Sequence, residues 1–204
     1  MNITQPEGNY FDKYQSKSKV VNLIMDGFFG NFDMLLDGIE FSTVYEAGCG
    51  EGYISHHIYN YSLEKQKRIK IVASDLSEKV VDKAKCDFPH IFFRVNSIYD
   101  LREESELYDL VVASEVLEHL EEPKAALDEI FRVSKRYTLI SVPNEPIWRI
   151  SNLLRGKYVG SMGNTPGHIK HWSKMQIVRL VGEYGKILEV RCPFPWTMIL
   201  CEKK

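Results

Sequence analysis

The chain has 204 residues, 44% of them hydrophobic and 26% charged, the balance of one ordinary globular domain with its own core rather than of a disordered or fibrous chain. Twenty-six Lys and Arg oppose 28 Asp and Glu for a formal net charge of -2, so the basic footprint of a general nucleic-acid binder is absent. No apolar run approaches ~18 residues, the opening Met1–Asn9 is polar, and Cys49, Cys86, Cys192 and Cys201 form no CxxC pair, so a cytoplasmic protein with free thiols and no membrane partner is expected.

Helical spacing begins with Val21, Ile24, Met25, Phe28, Phe32 and Leu35, in a segment that Gly27 and Gly30 are expected to break in two. Short β-branched and aromatic runs then alternate with helical patterns. Strands are expected at Thr43–Ala47, Lys70–Ser74, Ile91–Val95, Asp109–Ser114 and Tyr137–Val142. Between them fall helices carrying Ile54, Ile58 and Tyr61; then Val80, Val81 and Ala84 behind an N-cap at Ser77; then Leu127, Ile130 and Phe131 behind Pro123. After a connection of about thirty residues without strong periodicity, Ser173 and Gln176 form a capping box for a helix with Ile177, Leu180 and Val181, and Gly185 is expected to stop it. Ile187–Arg191 and Trp196–Cys201 close the chain as a hairpin around Pro193 and Pro195. The alternation predicts an α/β fold, a mostly parallel sheet with helices on both faces, in which a ligand binds outside the carboxyl ends of the strands. The connection Pro143–Trp172 is long enough to be a lid or binding element.

The strand ends carry the chemistry. The first reads Glu46-Ala47-Gly48-Cys49-Gly50-Glu51-Gly52-Tyr53: glycines at alternate positions allow a sharp turn and a close approach of ligand to backbone. Tyr53 stands where a nicotinamide-binding GxGxxG would need glycine, which argues against a dinucleotide oxidoreductase. Glu46 beside the turn suits a cationic ligand better than a pyrophosphate. Asp75, ending the second strand, is positioned to accept both hydroxyls of a ribose, or else to serve as a helix N-terminal acid. Asn96-Ser97-Ile98 after the third strand fits the edge and face of an adenine, or a plain polar turn. The fourth strand runs into Ala113-Ser114-Glu115-Val116-Leu117-Glu118-His119-Leu120.

With EAGCGEG, Asp75 and ASEVLEHLEEP in this order, the chain resembles the class I S-adenosylmethionine-dependent methyltransferases over about Tyr10 to Lys203. The resemblance implies a Rossmann-like seven-stranded sheet with the last strand antiparallel and a short cap inserted after strand five. It implies one methyltransferase domain over residues 1–204, with residues 1–37 as an N-terminal helical lid and residues 143–172 as a substrate cap. It also implies that Glu46, Gly48, Gly50 and Gly52 line the methionine part of S-adenosylmethionine, that Asp75 holds its ribose, and that Leu76, Ser97 and Ile98 meet its adenine. Position 97 is usually acidic in the family, and Ser97 departs from that pattern. Ser114 and Glu115 would lie beneath the sulfonium.

Methyl transfer needs alignment of nucleophile, methyl carbon and sulfur, and a base when the acceptor is a hydroxyl. Glu115, Glu118 and His119 stand at i, i+3 and i+4, one face if the segment is helical. The ExxEH pattern is similar to that of ubiquinone-type O-methyltransferases and small-RNA 2′-O-methyltransferases, some of which hold a divalent cation with these residues and a later His. On that likeness Glu115, Glu118, His119 and His168 are metal candidates, and His119, His168 and His171 are candidate bases; the alternative is that the acids cap the helix and the imidazole packs at the cleft mouth. Tyr14, Trp148, Arg149, Tyr158 and Trp172 are candidates for binding an aromatic or acidic acceptor, or else are cap core. The expected activity is methyl transfer to a small-molecule acceptor, through a hydroxyl oxygen. The alternatives are a cation-dependent RNA 2′-O-methyltransferase, against which the mild negative charge argues, and a catalytically silent cofactor-binding subunit.

Overall fold

The computed structural model describes residues 18–154, 159–165 and 167–204. In chain order the elements are α1 (Lys19–Asp37), β1 (Thr43–Ala47), α2 (Tyr53–Glu64), β2 (Lys70–Asp75), α3 (Glu78–Asp87), β3 (Phe92–Val95), β4 (Tyr108–Ser114), α4 (Pro123–Val133), β5 (Ser134–Pro143), α5 (Ile147–Leu154), α6 (Lys174–Gly182), β6 (Gly185–Arg191) and β7 (Trp196–Lys203). They form one seven-stranded sheet in the order β3-β2-β1-β4-β5-β7-β6. β1 to β5 pair in parallel, and β7 runs antiparallel to both β5 and β6. The strand order reverses between β1 and β4, so the carboxyl ends of these two strands flank the crevice where such sheets take ligands.

Both faces of the sheet are covered, which is why its strands are apolar runs rather than alternating ones. Val44, Ala73, Val112, Leu139 and Met198 face a layer built from α1, α2 and α3. Their neighbours Tyr45, Val72, Val111, Ile140 and Ile199 face α4 and α6. α1 is one uninterrupted helix: Phe28, Phe32, Leu35 and Leu36 are buried, and the Phe28 ring meets Trp196 edge-on at 4.9 Å. Burying each such side chain contributes roughly 1.5–3 kcal/mol. The expected break at Gly27 and Gly30 does not occur. Each glycine costs about 1 kcal/mol against Ala in a helix, and the apolar stripe outweighs that. Of the segment expected to act as a lid, residues 18–37 therefore belong to the core, while Tyr10, Phe11, Lys13 and Tyr14 lie outside the described residues.

Two further expectations change. Gly185 does not stop α6, which ends at Gly182; it opens β6, and a Cβ there would collide with the Glu202 carbonyl and Cys201 Sγ of β7. The connection after β5 is not without regular structure, since α5 occupies part of it. The capping box at Ser173 and Gln176 is formed, and all four cysteines are free. No helix among the described residues is long and apolar enough to cross a membrane.

Candidate functional site at the strand ends

β1 ends in a turn whose glycines do different jobs. Gly48, Gly50 and Gly52 all have positive φ, at 79°, 51° and 83°. The Gly48 and Cys49 N–H groups both donate to the Ser74 carbonyl at 2.8 Å, tying the turn to β2. A Cβ on Gly48 would stand 2.5 Å from Val116 Cγ2, and one on Gly52 2.7 Å from the Phe93 ring, so both glycines are required by packing within the protein. A Cβ on Gly50 would meet nothing within 4 Å. Gly50 alone faces open space, the cradle expected for a ligand that approaches the backbone.

Asp75 holds this turn from the side. Its Oδ2 accepts from the Gly50 N–H at 2.9 Å and its Oδ1 from the Ser77 N–H at 3.0 Å. Ser77 is the N-cap of α3 by position, but its hydroxyl makes no capping bond; its own N–H is held by the acid two residues earlier. A carboxylate offers about four lone-pair sites, so two remain for an incoming diol. Leu76 beside it is 49% exposed, an apolar face open to a flat ring. At β3 the Ser97 hydroxyl accepts from the Tyr99 N–H at 3.2 Å and closes its own turn, and Ile98 packs against the layer of α4 and α6.

Glu46 is 1% exposed on the α2 side of the sheet, its Oε2 accepting from the hydroxyl of Ser55 on α2. Burial pushes its carboxyl up to about 8, with the like charge of Asp75 adding to the rise and the Ser55 hydrogen bond opposing it.

The segment after β4 is not a helix from Glu115 onward. Glu115 takes a left-handed conformation (φ 62°) with its N–H on the Ser141 carbonyl at 3.0 Å, and Leu117–His119 form a single 3₁₀ turn. Ser114 is buried with its Oγ 2.7 Å from Ser141 Oγ. Leaving helical geometry separates the expected four. Glu118, His119 and His168 each bring a ligand atom within 4.8 Å of the others, the one such group of three among the described residues, and Glu115 is not part of it. A strap does the gathering: the Ile169 and Lys170 N–H groups both donate to the Glu118 carbonyl, at 2.9 and 3.0 Å. His119 Nδ1 lies 2.9 Å from the Gly167 carbonyl, which can only accept, so Nδ1 is the donor in that contact. A backbone carbonyl behind one ring nitrogen is the usual support for an imidazole that ligates through the other. Two imidazoles and a carboxylate form a donor set suited to a borderline divalent cation, with coordination positions to spare.

The strap ends at the loop after β5, where the Trp172 carbonyl accepts from the Glu145 N–H at 2.9 Å. Trp148 and Arg149 are stitched into the insertion: the Trp148 indole N–H donates to Thr165 Oγ1 at 2.9 Å, and Arg149 Nε to the Met162 carbonyl at 3.1 Å. The Trp148 ring also lies 5.9 Å from that of His168. His171 is exposed. Tyr158 lies outside the described residues. Glu145 was not foreseen: burial raises its carboxyl pKa, with His171 opposing, and its Oε2 and the Trp172 Nε1 are both buried without a hydrogen-bond partner among the described residues. Nothing in Pro-Asn-Glu-Pro marks that acid in sequence.

The seven-stranded sheet, the open glycine turn after β1 and the acid after β2 are the arrangement that the resemblance to the class I S-adenosylmethionine-dependent methyltransferases implied. Residues 45–140, spanning that turn and the segment after β4, match the methyltransferase domain family. A probable S-adenosylmethionine-dependent methyltransferase of Mycolicibacterium smegmatis is 30% identical over 103 residues, which are 50% of this chain and 38% of the relative; the chain thus spans well under half of that protein. The crystal structure of magnesium protoporphyrin IX methyltransferase from Synechocystis with bound SAH superposes with a TM-score of 0.67 at 19% identity, over 93% of this chain and 89% of that one. A Mesorhizobium loti S-adenosylmethionine-dependent methyltransferase gives 0.66 at 14%, over 87% and 98%. These likenesses establish the shared fold.

Proposed function

We propose that the chain transfers a methyl group from S-adenosylmethionine to a hydroxyl oxygen of a small molecule held between the turn after β4 and the insertion of residues 143–172. The observation that carries the oxygen reading is the gathering of Glu118, His119 and His168. When bound, S-adenosylmethionine supplies a methyl on a sulfonium with a neutral leaving group, and a divalent cation on the trio supplies Lewis acidity to an acceptor hydroxyl. Asp75 orients the ribose, the Gly50 backbone admits the methionine end, and Leu76 supports the adenine. His119 Nε2 and His168 cannot ligate and take a proton at once. With both engaged, the exposed His171 at the far end of the strap is the imidazole left to accept the proton of the hydroxyl.

Mn²⁺ titration read by electron paramagnetic resonance tests the trio without an acceptor. One site is expected, with His168→Ala weakening it about tenfold or more. Dialysis against chelator should lower turnover on a hydroxyl acceptor and added Mg²⁺ or Zn²⁺ restore it. Chelator-indifferent turnover together with no Mn²⁺ site would reduce the trio to packing.

Glu46 is the counter-charge for the cofactor's ammonium, and its protonation sets a pH dependence. In the free protein the folded pKa lies above the unfolded value of about 4.3. The stability contribution is therefore fully present below that value and is lost as pH rises through about 8. Binding an ammonium requires the ionised form, so below about 8 the carboxyl releases a proton on binding. Affinity for S-adenosylhomocysteine is expected to rise by up to about tenfold per pH unit between pH ~6 and ~8 and then level. Calorimetry in buffers of different ionisation enthalpy would count the proton, and Glu46→Gln should flatten the profile; a flat wild-type profile would remove the assignment.

A further inference from the structure

Away from the strand ends, α2 and the turn after α3 bring two more imidazoles together. His56 Nδ1 and His90 Nε2 are 3.4 Å apart. The rings are held from behind: Phe88 stacks on His56 with centroids 4.3 Å apart and planes 16° apart, and Tyr59 packs on His90 at 4.1 Å. The Asn60 side-chain amide lies 3.1 Å from His56 Nε2. With its oxygen turned toward that nitrogen, an orientation equivalent in shape, Asn60 accepts the Nε2 proton and leaves the Nδ1 lone pair directed at His90.

The two ring nitrogens are within reach of a long hydrogen bond to one another, and their separation is also that of two donors on a shared cation. Two nitrogens bound to one tetrahedral zinc at about 2.0–2.1 Å each stand roughly 3.3–3.4 Å from one another. We propose that His56 Nδ1 and His90 Nε2 form a second cation site, a two-imidazole seat for a borderline divalent ion such as Zn²⁺, with water completing the coordination. Imidazole donors select Zn²⁺, Cu²⁺ or Ni²⁺ over Mg²⁺ and Ca²⁺, which prefer oxygen. The site shares no residue with the Glu118, His119 and His168 group and does not depend on the methyl-transfer reading. Occupying it would clamp α2 to the connection between α3 and β3.

The test is a Zn²⁺ titration of the whole chain labelled with ¹⁵N-histidine, following each ring nitrogen by long-range ¹H–¹⁵N correlation. His56 Nδ1 and His90 Nε2 are expected to move together to ligated shifts. His90→Gln should weaken the His56 response about tenfold or more while leaving the responses of His119 and His168 unchanged. His56→Gln should do the same to His90. His90 is exposed and His56 half-buried on the surface of α2, so both variants are expected to keep the fold, which circular dichroism checks. The proposal is overturned if the His56 and His90 rings stay unmoved with Zn²⁺ in tenfold excess, or if either responds equally with its partner replaced.

Discussion

Gly50→Val is expected to abolish detectable binding of S-adenosylhomocysteine, about a hundredfold loss or more, while the circular dichroism spectrum stays that of the wild type. A Cβ at this position meets no protein atom within 4 Å, so the added side chain enters the space in front of the turn rather than the core. The left-handed backbone (φ 51°) costs an L-residue roughly 1–2 kcal/mol, which a domain with about 5–15 kcal/mol of stability survives. Gly48→Val is the contrasting control: its Cβ collides with Val116, so that variant should lose stability before it loses affinity. Calorimetry on the folded Gly50→Val protein decides the matter, and wild-type affinity there would show that no ligand lies over the turn.

Asp75→Ala should weaken cofactor binding by about tenfold to a hundredfold, each charge-assisted hydrogen bond being worth about 1.5–3 kcal/mol. Two effects combine in that number. The substitution removes the acceptor for a diol, and it also frees the Gly50 and Ser77 N–H groups that the carboxylate holds at 2.9 and 3.0 Å. A cofactor analogue lacking the ribose hydroxyls separates them. If the acid grips the sugar, Asp75→Ala should cost the analogue clearly less affinity than it costs the intact cofactor. An equal penalty for both ligands would confine Asp75 to bracing the turn.

The sheet was legible because its strands are buried on both faces, so that Ile71–Ala73 and Val111–Ala113 announce themselves as apolar runs ended by polar residues. Glycine was the ambiguous letter. Gly27 and Gly30 sit in a helix whose stripe overrides them, and Gly185 answers to a neighbouring strand far along the chain, which no local pattern reveals. The same limit applied at the site. The residue types of the ExxEH segment and the later His168 were visible, but the strap that joins them, and the left-handed turn that sends Glu115 elsewhere, depend on pairings between distant backbone groups. Ser55 as the partner of Glu46 and the buried oxygen of Glu145 were hidden for the same reason.

The strap has a thermodynamic consequence. Residues 168–172 are bonded at one end to the Glu118 carbonyl and at the other to the Glu145 N–H, so on the proposed reading the cation and the acceptor bear on one segment. Cation and acceptor would then report on each other through a shared coupling free energy. By reciprocity, whatever factor the cation adds to acceptor affinity, the acceptor must return to the cation.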